Sequence, residues 1–141
     1  MEIKNDGFTH ILLIDDDEVD VMFVQRELKK LNIPVFIHVA KDGVEALHKL
    51  KGQENEMPLI NPEIIILDLM MPKMNGIEFL EELREHSQFD KIKVLVLTTS
   101  NNERDKIATK KLNINGYFIK DRQFEDFIFR CKTLLQPQSS L

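Results

Sequence analysis

The sequence predicts an α/β fold in which a doubly wound, five-stranded parallel sheet carries helices on both faces. The first observation is that short apolar runs alternate along the chain with segments whose apolar residues recur at helical spacing. The second is that the apolar runs are dense in β-branched and aromatic residues, as expected of strands covered on both faces.

The predicted strands lie at residues 11–14, 35–39, 64–67, 94–97 and 117–119. Apolar residues at helical spacing follow each strand and predict a helix there. The stripes are Val21, Val24, Leu28 and Leu31 in the first helix, Val44, Leu47 and Leu50 in the second, Ile77, Leu80 and Leu83 in the third, and Phe124, Phe127, Ile128, Cys131 and Leu135 in the last.

The fourth predicted helix, residues 102–112, differs from the others because it is mostly charged. Its apolar stripe consists only of Ile107, Ala108 and Leu112. A helix with so little apolar surface to bury is expected to be the least firmly anchored element of the fold.

The length of 141 residues is about that of one ordinary domain. We therefore expect a single domain over residues 1–141, with its core at about 9–135. Within it, residues 52–62 are predicted to form an irregular connection and residues 136–141 a frayed tail.

Composition excludes several classes of function. Basic residues number 19 against 24 acidic ones, so the net charge of −5 lacks the basic excess that direct nucleic-acid binding requires. No basic segment followed by an apolar stretch opens the chain, and no apolar run approaches the roughly 18 residues that span a bilayer, so we expect no membrane association and a cytoplasmic location. The single cysteine, Cys131, is predicted to be unreactive core.

Polar side chains follow four of the predicted strands, at the edge where open parallel sheets bind ligands. The first strand runs into Asp15 and Asp16, the third into Asp68, the fourth into Thr98 and the fifth into Lys120. Crowded carboxylates repel each other unless a cation intervenes, and an oxygen-only ligand set favours Mg²⁺. With a lysine and a hydroxyl beside them, these carboxylates indicate phosphoryl chemistry.

Four segments, ILLIDDDEVD, IIILDLMMPKMNG, VLVLTTS and GYFIK, resemble those of response-regulator receiver domains over about residues 9 to 135. The resemblance implies a flavodoxin-like (βα)₅ sheet with the strand order 2-1-3-4-5. It implies that Asp68 accepts the phosphoryl group, that Asp16, Asp15 and the carbonyl of Met70 join Asp68 as Mg²⁺ ligands, and that Thr98 and Lys120 bind phosphoryl oxygens. Tyr117 corresponds to an aromatic residue that turns inward when the threonine hydroxyl is drawn to the phosphate.

The resemblance also implies partners and a mode of action. A sensor histidine kinase or a phosphotransfer protein donates the phosphoryl group, and the chain is expected to be a phosphoacceptor with only self-catalysed phosphotransfer and autodephosphorylation, not an enzyme. Output is expected through a changed surface built from the fourth helix, fifth strand and fifth helix. Phe118 and Phe129 lie in these elements, so we predict partner binding or a homodimer there.

Other polar residues have simpler interpretations. Asp17, with Asp20 three positions later, resembles a capping box, so we expect Asp17, Glu18 and Asp20 to cap the first helix. The four histidines are scattered away from the strand ends and are interpreted as surface or partly buried residues.

The chain departs from the family where Asp121, instead of proline, follows Lys120. The Lys120–Asp121 peptide is free to be trans, and the Asp121 carboxylate is a possible competitor for Lys120. This departure, the segment VLVLTTS and the long connection before the third strand make the chain similar to receivers associated with bacterial phytochromes. Met70 and Ser100 flank the path of the attacking water in the family, and because Met70 cannot polarise water we predict a long-lived acyl phosphate.

Two rival interpretations stay open at this point. A haloacid-dehalogenase-like phosphatase also places aspartates, a lysine and Mg²⁺ at strand ends, and Asp15 with Asp17 satisfies its acid spacing. A pseudo-receiver that binds partners without phosphorylation is the second, and Asp121 is the only hint of it.

Overall fold

The computed structural model of the chain describes residues 6–52 and 60–136. Its strands are β1 (Thr9–Ile14), β2 (Val35–Ala40), β3 (Ile64–Leu67), β4 (Lys93–Thr98) and β5 (Gly116–Ile119). Its helices are α1 (Glu18–Lys29), α2 (Gly43–Lys51), α3 (Gly76–Leu83), α4 (Glu103–Lys110) and α5 (Phe124–Leu135), with a short 3₁₀ helix at Ser87–Phe89. The strands form one parallel sheet in the order β2-β1-β3-β4-β5, which confirms the predicted fold.

The register of the strands aligns their carboxyl ends at one edge of the sheet. Ile14 pairs with Leu67, and Leu67 pairs with Val96 on the other side. Thr98, the last residue of β4, pairs with Ile119, the last residue of β5. The residues that follow these ends are therefore brought to a common edge.

Successive strand residues point to opposite faces, and both faces are buried. On one face, strand residues such as Leu12 and Ile65 pack with residues of α2 and α3, including Phe79. On the other face, Ile11 and Ile66 belong to a cluster completed by α1 and α5. Cys131 lies in this second cluster and is fully buried, as predicted.

Side chains cap α1 and α3, the helices that follow β1 and β3. The Asp17 carboxylate accepts hydrogen bonds from the N–H groups of Val19 and Asp20, which confirms its predicted role as the N-cap of α1. Asn75 and Glu78 form a reciprocal capping box at the start of α3. These caps fix the points at which the chain turns from the strand ends into the helices.

Helix α4 differs from its predicted pattern. Its buried residue is Thr109, while Ile107 of the predicted apolar stripe is 51% exposed. The Thr109 hydroxyl donates to the carbonyl groups of Asp105 and Lys106, so a polar side chain is satisfied within its own helix and can face the core.

Two predictions fall partly outside the described residues. They are the irregular connection at 52–62, of which residues 53–59 are not described, and the frayed tail, of which residues 137–141 are not described. Among the described helices, none combines the length and the apolar character needed to cross a bilayer.

Candidate functional site at the carboxyl edge of the sheet

Three carboxylates meet where β1 and β3 end. Asp15 and Asp16 follow β1, Asp68 follows β3, and one ligand oxygen from each lies within 4.8 Å of the others. Asp15 and Asp68 are buried, whereas Asp16 is exposed. The strand ends therefore bring together the three acidic side chains that the sequence singled out.

The Lys120 ammonium group lies against this cluster. It donates to Asp15 Oδ2 at 2.9 Å, to Asp68 Oδ2 at 3.3 Å and to Asp20 Oδ2 at 2.7 Å. The Lys120 side chain is only 13% exposed. An ammonium group has three N–H donors, so these contacts use its full capacity.

Burial and charge shift the ionisation of this cluster. The pKa of Asp15 is raised to about 6, mainly because burial disfavours the carboxylate and partly because of the Asp68 charge, against the lowering effect of the Lys120 and Asp17 hydrogen bonds. Burial alone lowers the pKa of Lys120, but hydrogen bonds to Asp15 and Asp20 and the Asp68 charge together raise it above its ordinary value. The lysine is thus a fixed cation among carboxylates.

The donor set fits a hard divalent cation. The acidic cluster offers only oxygen ligands, and among the described residues it contains no histidine or cysteine. The second oxygen of each buried carboxylate is held by a backbone N–H group. Asp15 Oδ1 accepts a hydrogen bond from Asp17, and Asp68 Oδ1 accepts one from Met70. A cation held by Asp15, Asp16 and Asp68 would offset the repulsion between these carboxylates.

The loop after Asp68 packs closely against the strand end. The N–H of Gly76 donates to the carbonyl of Leu69 at 3.1 Å. A Cβ atom at position 76 would lie 2.5 Å from the Asp68 carbonyl oxygen and 2.7 Å from Leu69 Cα, so the backbone leaves space for glycine alone. Met70, whose side chain is 61% exposed, lines a shallow cavity beside Asp16.

Thr98 and Tyr117 occupy adjoining strands on the other side of Asp68. Thr98 is fully buried, and its hydroxyl oxygen accepts a hydrogen bond from the N–H of Ser100 at 3.3 Å. The Tyr117 hydroxyl donates to the carbonyl of Ser100 at 2.9 Å, and burial raises the pKa of Tyr117. Both residues are therefore tied to the same loop between β4 and α4.

Asp20 is the site residue that the sequence interpretation missed. Its backbone N–H is capped by Asp17 as expected, but its carboxylate binds Lys120 and does not return to the Asp17 N–H, which Asp15 accepts instead. The signal in the sequence was the spacing of Asp20 to the acidic pair, which places it on the first turn of the helix that starts beside the strand end.

Asp121 does not take the predicted role of competitor for Lys120. Among the described residues, the ion pairs of Lys120 within 4.0 Å are with Asp15, Asp20 and Asp68. The Lys120–Asp121 peptide is not cis.

The two aromatic residues predicted to lie on the partner surface differ in their exposure to solvent. Phe129 is 70% exposed on α5, as predicted. Phe118 is only 8% exposed and packs edge-to-face against Phe127, so the expectation that it contributes to a surface was wrong. Strand β5 is covered on both faces, which places Phe118 in the core.

The fold and this site define a class of protein. Residues 11–132 match the family described as the response regulator receiver domain, and the chain belongs to that family. The comparisons give no support to the dehalogenase-like phosphatase as an interpretation of the acidic edge. Receiver domains bind a divalent metal at the acidic pocket, and their partners are histidine kinases or phosphotransfer proteins.

Within this family, the chain is similar to a response regulator of known structure. The chain is 38% identical to the response regulator Rcp1 of Synechocystis over 116 residues, which are 82% of this chain and 79% of the relative. The Mn²⁺-bound structure of Rcp1 superposes with a TM-score of 0.80 at 33% identity and covers 94% of this chain and 99% of that chain.

Two further solved structures are similar. A two-component response regulator from Legionella pneumophila has 43% identity and a TM-score of 0.77, with 89% of this chain and 97% of that chain covered. The phosphorylated cyanobacterial phytochrome response regulator RcpA has 29% identity and a TM-score of 0.79, with 90% and 91% covered. The chain is thus similar to single-domain response regulators, including phytochrome-associated ones.

Proposed function

We propose that this receiver accepts a phosphoryl group on Asp68 in a Mg²⁺ site and passes the signal on through a changed surface. The observation that carries the proposal is the meeting of the Asp15, Asp16 and Asp68 carboxylates with the Lys120 ammonium at one edge of the sheet. Mg²⁺ is the proposed ion because the ligands are hard oxygens and a phosphoryl oxygen completes a set that it commonly accepts.

The proposed chemistry is attack by an Asp68 carboxylate oxygen on the phosphorus of a phosphohistidine. The O–P bond forms as the N–P bond breaks, and the leaving imidazole nitrogen keeps the electron pair and takes up a proton. Bound Mg²⁺ would offset the charge that gathers on the phosphoryl oxygens. Lys120 supplies a second positive charge at the same edge, with Asp15, Asp16 and the Met70 carbonyl proposed to complete the metal ligands.

Transmission is proposed to run through Thr98 and Tyr117. The Thr98 hydroxyl binds a phosphoryl oxygen of the modified Asp68 and leaves the N–H of Ser100. The loop between β4 and α4 then moves, and with it the carbonyl to which Tyr117 donates. Phosphorylation need only favour the second arrangement of this loop over the first.

The proposed donor is a sensor histidine kinase or a phosphotransfer protein, and a bacterial phytochrome is the specific kinase that we favour. Support for the phytochrome comes from the similarity to RcpA, whose name states that association. We propose a single domain in the cytoplasm whose chemistry is confined to its own phosphorylation and dephosphorylation. A long acyl-phosphate lifetime, based on Met70, stays a prediction.

The test is phosphorylation of the intact chain by a small phosphodonor. Incubated with acetyl phosphate and Mg²⁺, the wild type is expected to gain the mass of one phosphoryl group, and peptide mapping should place it on Asp68. Asp68→Asn, which removes the nucleophilic oxygen with almost no change in shape, should gain none. Asp90→Asn, which changes an exposed aspartate near the opposite, amino end of β4, is the matched control and should be modified normally.

A wild-type chain that binds Mg²⁺ but takes up no phosphoryl group from acetyl phosphate or candidate kinases would support the pseudo-receiver instead. Modification of Asp68→Asn to the wild-type level would place the acceptor elsewhere.

The surface of α4, β5 and α5 is proposed to bind a second copy of the chain. Phe129 on α5 is 70% exposed and Ile107 on α4 is 51% exposed, so both elements leave apolar area to bury. Sedimentation of the BeF₃⁻-activated protein should show a dimer that Phe129→Ser weakens and that Val19→Ser, an equally exposed apolar residue on α1, leaves intact. A monomer with and without activation would refute the dimer.

A further inference from the structure

Asp20 gives the shortest of the hydrogen bonds to the Lys120 ammonium, at 2.7 Å from its Oδ2. It belongs to the first turn of α1, and its backbone N–H is held by the Asp17 cap at 3.1 Å. The cap fixes the start of the helix, and the helix in turn fixes where the Asp20 side chain leaves the backbone. The contact with Lys120 therefore joins α1 to the end of β5.

A second contact links the same two parts of the chain. The rings of Phe23, one turn further along α1, and Phe124, at the start of α5, lie 4.7 Å apart at their centroids. Both rings line a cavity of about 300 Å³ together with Asp20 and Lys120. The position of Asp20 beside Lys120 is thus supported by apolar packing and does not depend on the ion pair alone.

Asp20 differs from the other two partners of Lys120 in its relation to the metal site. Asp15 and Asp68 belong to the carboxylate cluster that can hold a cation, whereas that cluster does not include Asp20. A cation that drew the oxygens of Asp15 and Asp68 would leave Asp20 as the partner of the lysine. Without it, the flexible four-carbon side chain of Lys120 would lose its remaining anchor.

We propose that Asp20 is a positioning residue that acts through Lys120 and holds its ammonium group at the carboxyl edge while Asp15 and Asp68 engage the metal and the phosphoryl group. One N–H of the ammonium group is committed to Asp20, and the other two are directed toward Asp15 and Asp68. The inference rests on the proposed phosphorylation of Asp68 and names a further residue that sets its rate.

The test compares the rate of phosphorylation by acetyl phosphate at saturating Mg²⁺ in wild type, Asp20→Asn and Asp20→Glu. Asp20→Asn should be about tenfold slower, equivalent to about 1.4 kcal/mol in activation free energy. Asp20→Glu, which keeps the charge, should recover part of the rate. Mg²⁺ affinity measured by calorimetry should change much less than the rate, because Asp20 lies outside the metal-binding cluster.

Glu18→Gln is the matched control. Glu18 is exposed in the same turn of α1, so its substitution removes an equal charge and an equal interaction with the helix dipole. We expect this variant to be phosphorylated at the wild-type rate. A thermal melt of each variant separates loss of folding from loss of rate.

Two measurements separate action through Lys120 from a merely structural role. In a Lys120→Ala background, Asp20→Asn should have no further effect on the rate, as a double-mutant cycle requires of two groups that act as one. In the wild type without phosphodonor, NMR should show that the ammonium protons of Lys120 are protected from exchange with solvent. Asp20→Asn should lose that protection, and Glu18→Gln should keep it.

The inference is overturned if wild type is phosphorylated and Asp20→Asn matches it, or if the effect of Asp20→Asn persists undiminished without Lys120. If wild type itself takes up no phosphoryl group on Asp68, the proposed function fails and the inference falls with it. The two failures are distinguished by the behaviour of wild type alone.

Discussion

Asp15 is the residue at which burial, charge and metal binding oppose each other most directly. Its side chain is 3% exposed and faces Asp68, so the carboxylate form is costly unless a cation is present. Lys120 offsets only part of this cost, because the same ammonium group is shared with Asp20 and Asp68. The site thus gives up stability in the metal-free protein for affinity toward a divalent cation.

Asp15→Asn should therefore stabilise the metal-free protein at about pH 8 by about 1–3 kcal/mol, measured by urea unfolding. The pKa of Asp15 rises from 3.8 to about 6 on folding, so its contribution to stability is fully present below about pH 4 and is lost as the pH rises through about 6. The neutral amide does not pay this penalty. The advantage of the variant should consequently vanish near pH 4.

Glu18→Gln provides the reference, since an exposed carboxylate is expected to change the unfolding free energy by no more than about 0.5 kcal/mol. An Asp15→Asn variant that is less stable than wild type at both pH values would show that the buried Asp15 carboxylate does not lower the stability of the folded protein. The same conclusion would follow if the advantage of the variant were equal at both pH values.

The sequence predicted Asp15, Asp68, Thr98 and Lys120 at this edge because each directly follows or ends an apolar strand, and parallel strands end together. It did not predict the bond from Asp20 to Lys120. That contact depends on how α1 is rotated relative to β5, and the two are 100 residues apart in the chain. Helix capping, which depends only on neighbouring residues, was enough to explain an acidic residue at position 20, so no feature of the sequence pointed to a distant partner.

At the scale of elements, the loop from β3 to α3 shows how closely the backbone is fitted around Asp68. Its left-handed residue is Lys73, at φ 62°, and it ends in the capping box of Asn75 and Glu78. Gly76 lies against the carbonyl of Asp68, so the first turn of α3 rests directly on the strand end. The spacing from aspartate to glycine in this loop is therefore set by a backbone contact.

Gly76→Ala is expected to lower the unfolding free energy by about 1–3 kcal/mol, because the new methyl group would meet backbone atoms that cannot move without displacing Asp68. Mg²⁺ affinity, measured by calorimetry, should fall with it. Glu81→Ala, an exposed position on the same helix, should leave both quantities nearly unchanged. Full metal affinity in Gly76→Ala would show that the loop adjusts without moving the carboxylate.

The burial of residues in β5 and α4 could not be predicted from the hydrophobic pattern of the sequence. Strand β5 presents Tyr117 to one buried face and Phe118 to the other, so a sheet covered on both sides offers no polar alternation from which to read an exposed residue. Helix α4 buries Thr109 rather than its apolar Ile107, because the hydroxyl is satisfied by the preceding turn. Neither outcome follows from hydrophobic periodicity alone.

For the molecule as a whole, the central strands β1, β3 and β4 are mostly buried, whereas α4 is held mainly at its ends. At one end the Ser100 hydroxyl donates to Asp105 at 2.6 Å. At the other, the Arg84 side chain donates to the carbonyl groups of Leu112 and Asn113. A helix anchored at its ends, with Thr109 as its one fully buried residue, can open with little disturbance of the core.

Hydrogen exchange of the unphosphorylated protein should accordingly show α4 with the lowest protection among α1 to α5, and β1, β3 and β4 with the highest. Arg84→Ala should raise the exchange rates of α4 further without changing those of β1. Protection of α4 equal to that of α5 would show that end contacts suffice to hold it.

The contacts of Lys120 carry a consequence for how the protein becomes competent. This lysine reaches back over 105, 100 and 52 residues to Asp15, Asp20 and Asp68. A nascent chain that has not yet added its fifth strand holds those negative charges with no ammonium group among them. The charge balance of the carboxylate cluster is therefore completed only when β5 has emerged and joined the sheet, so the proposed phosphorylation depends on assembly of all five strands.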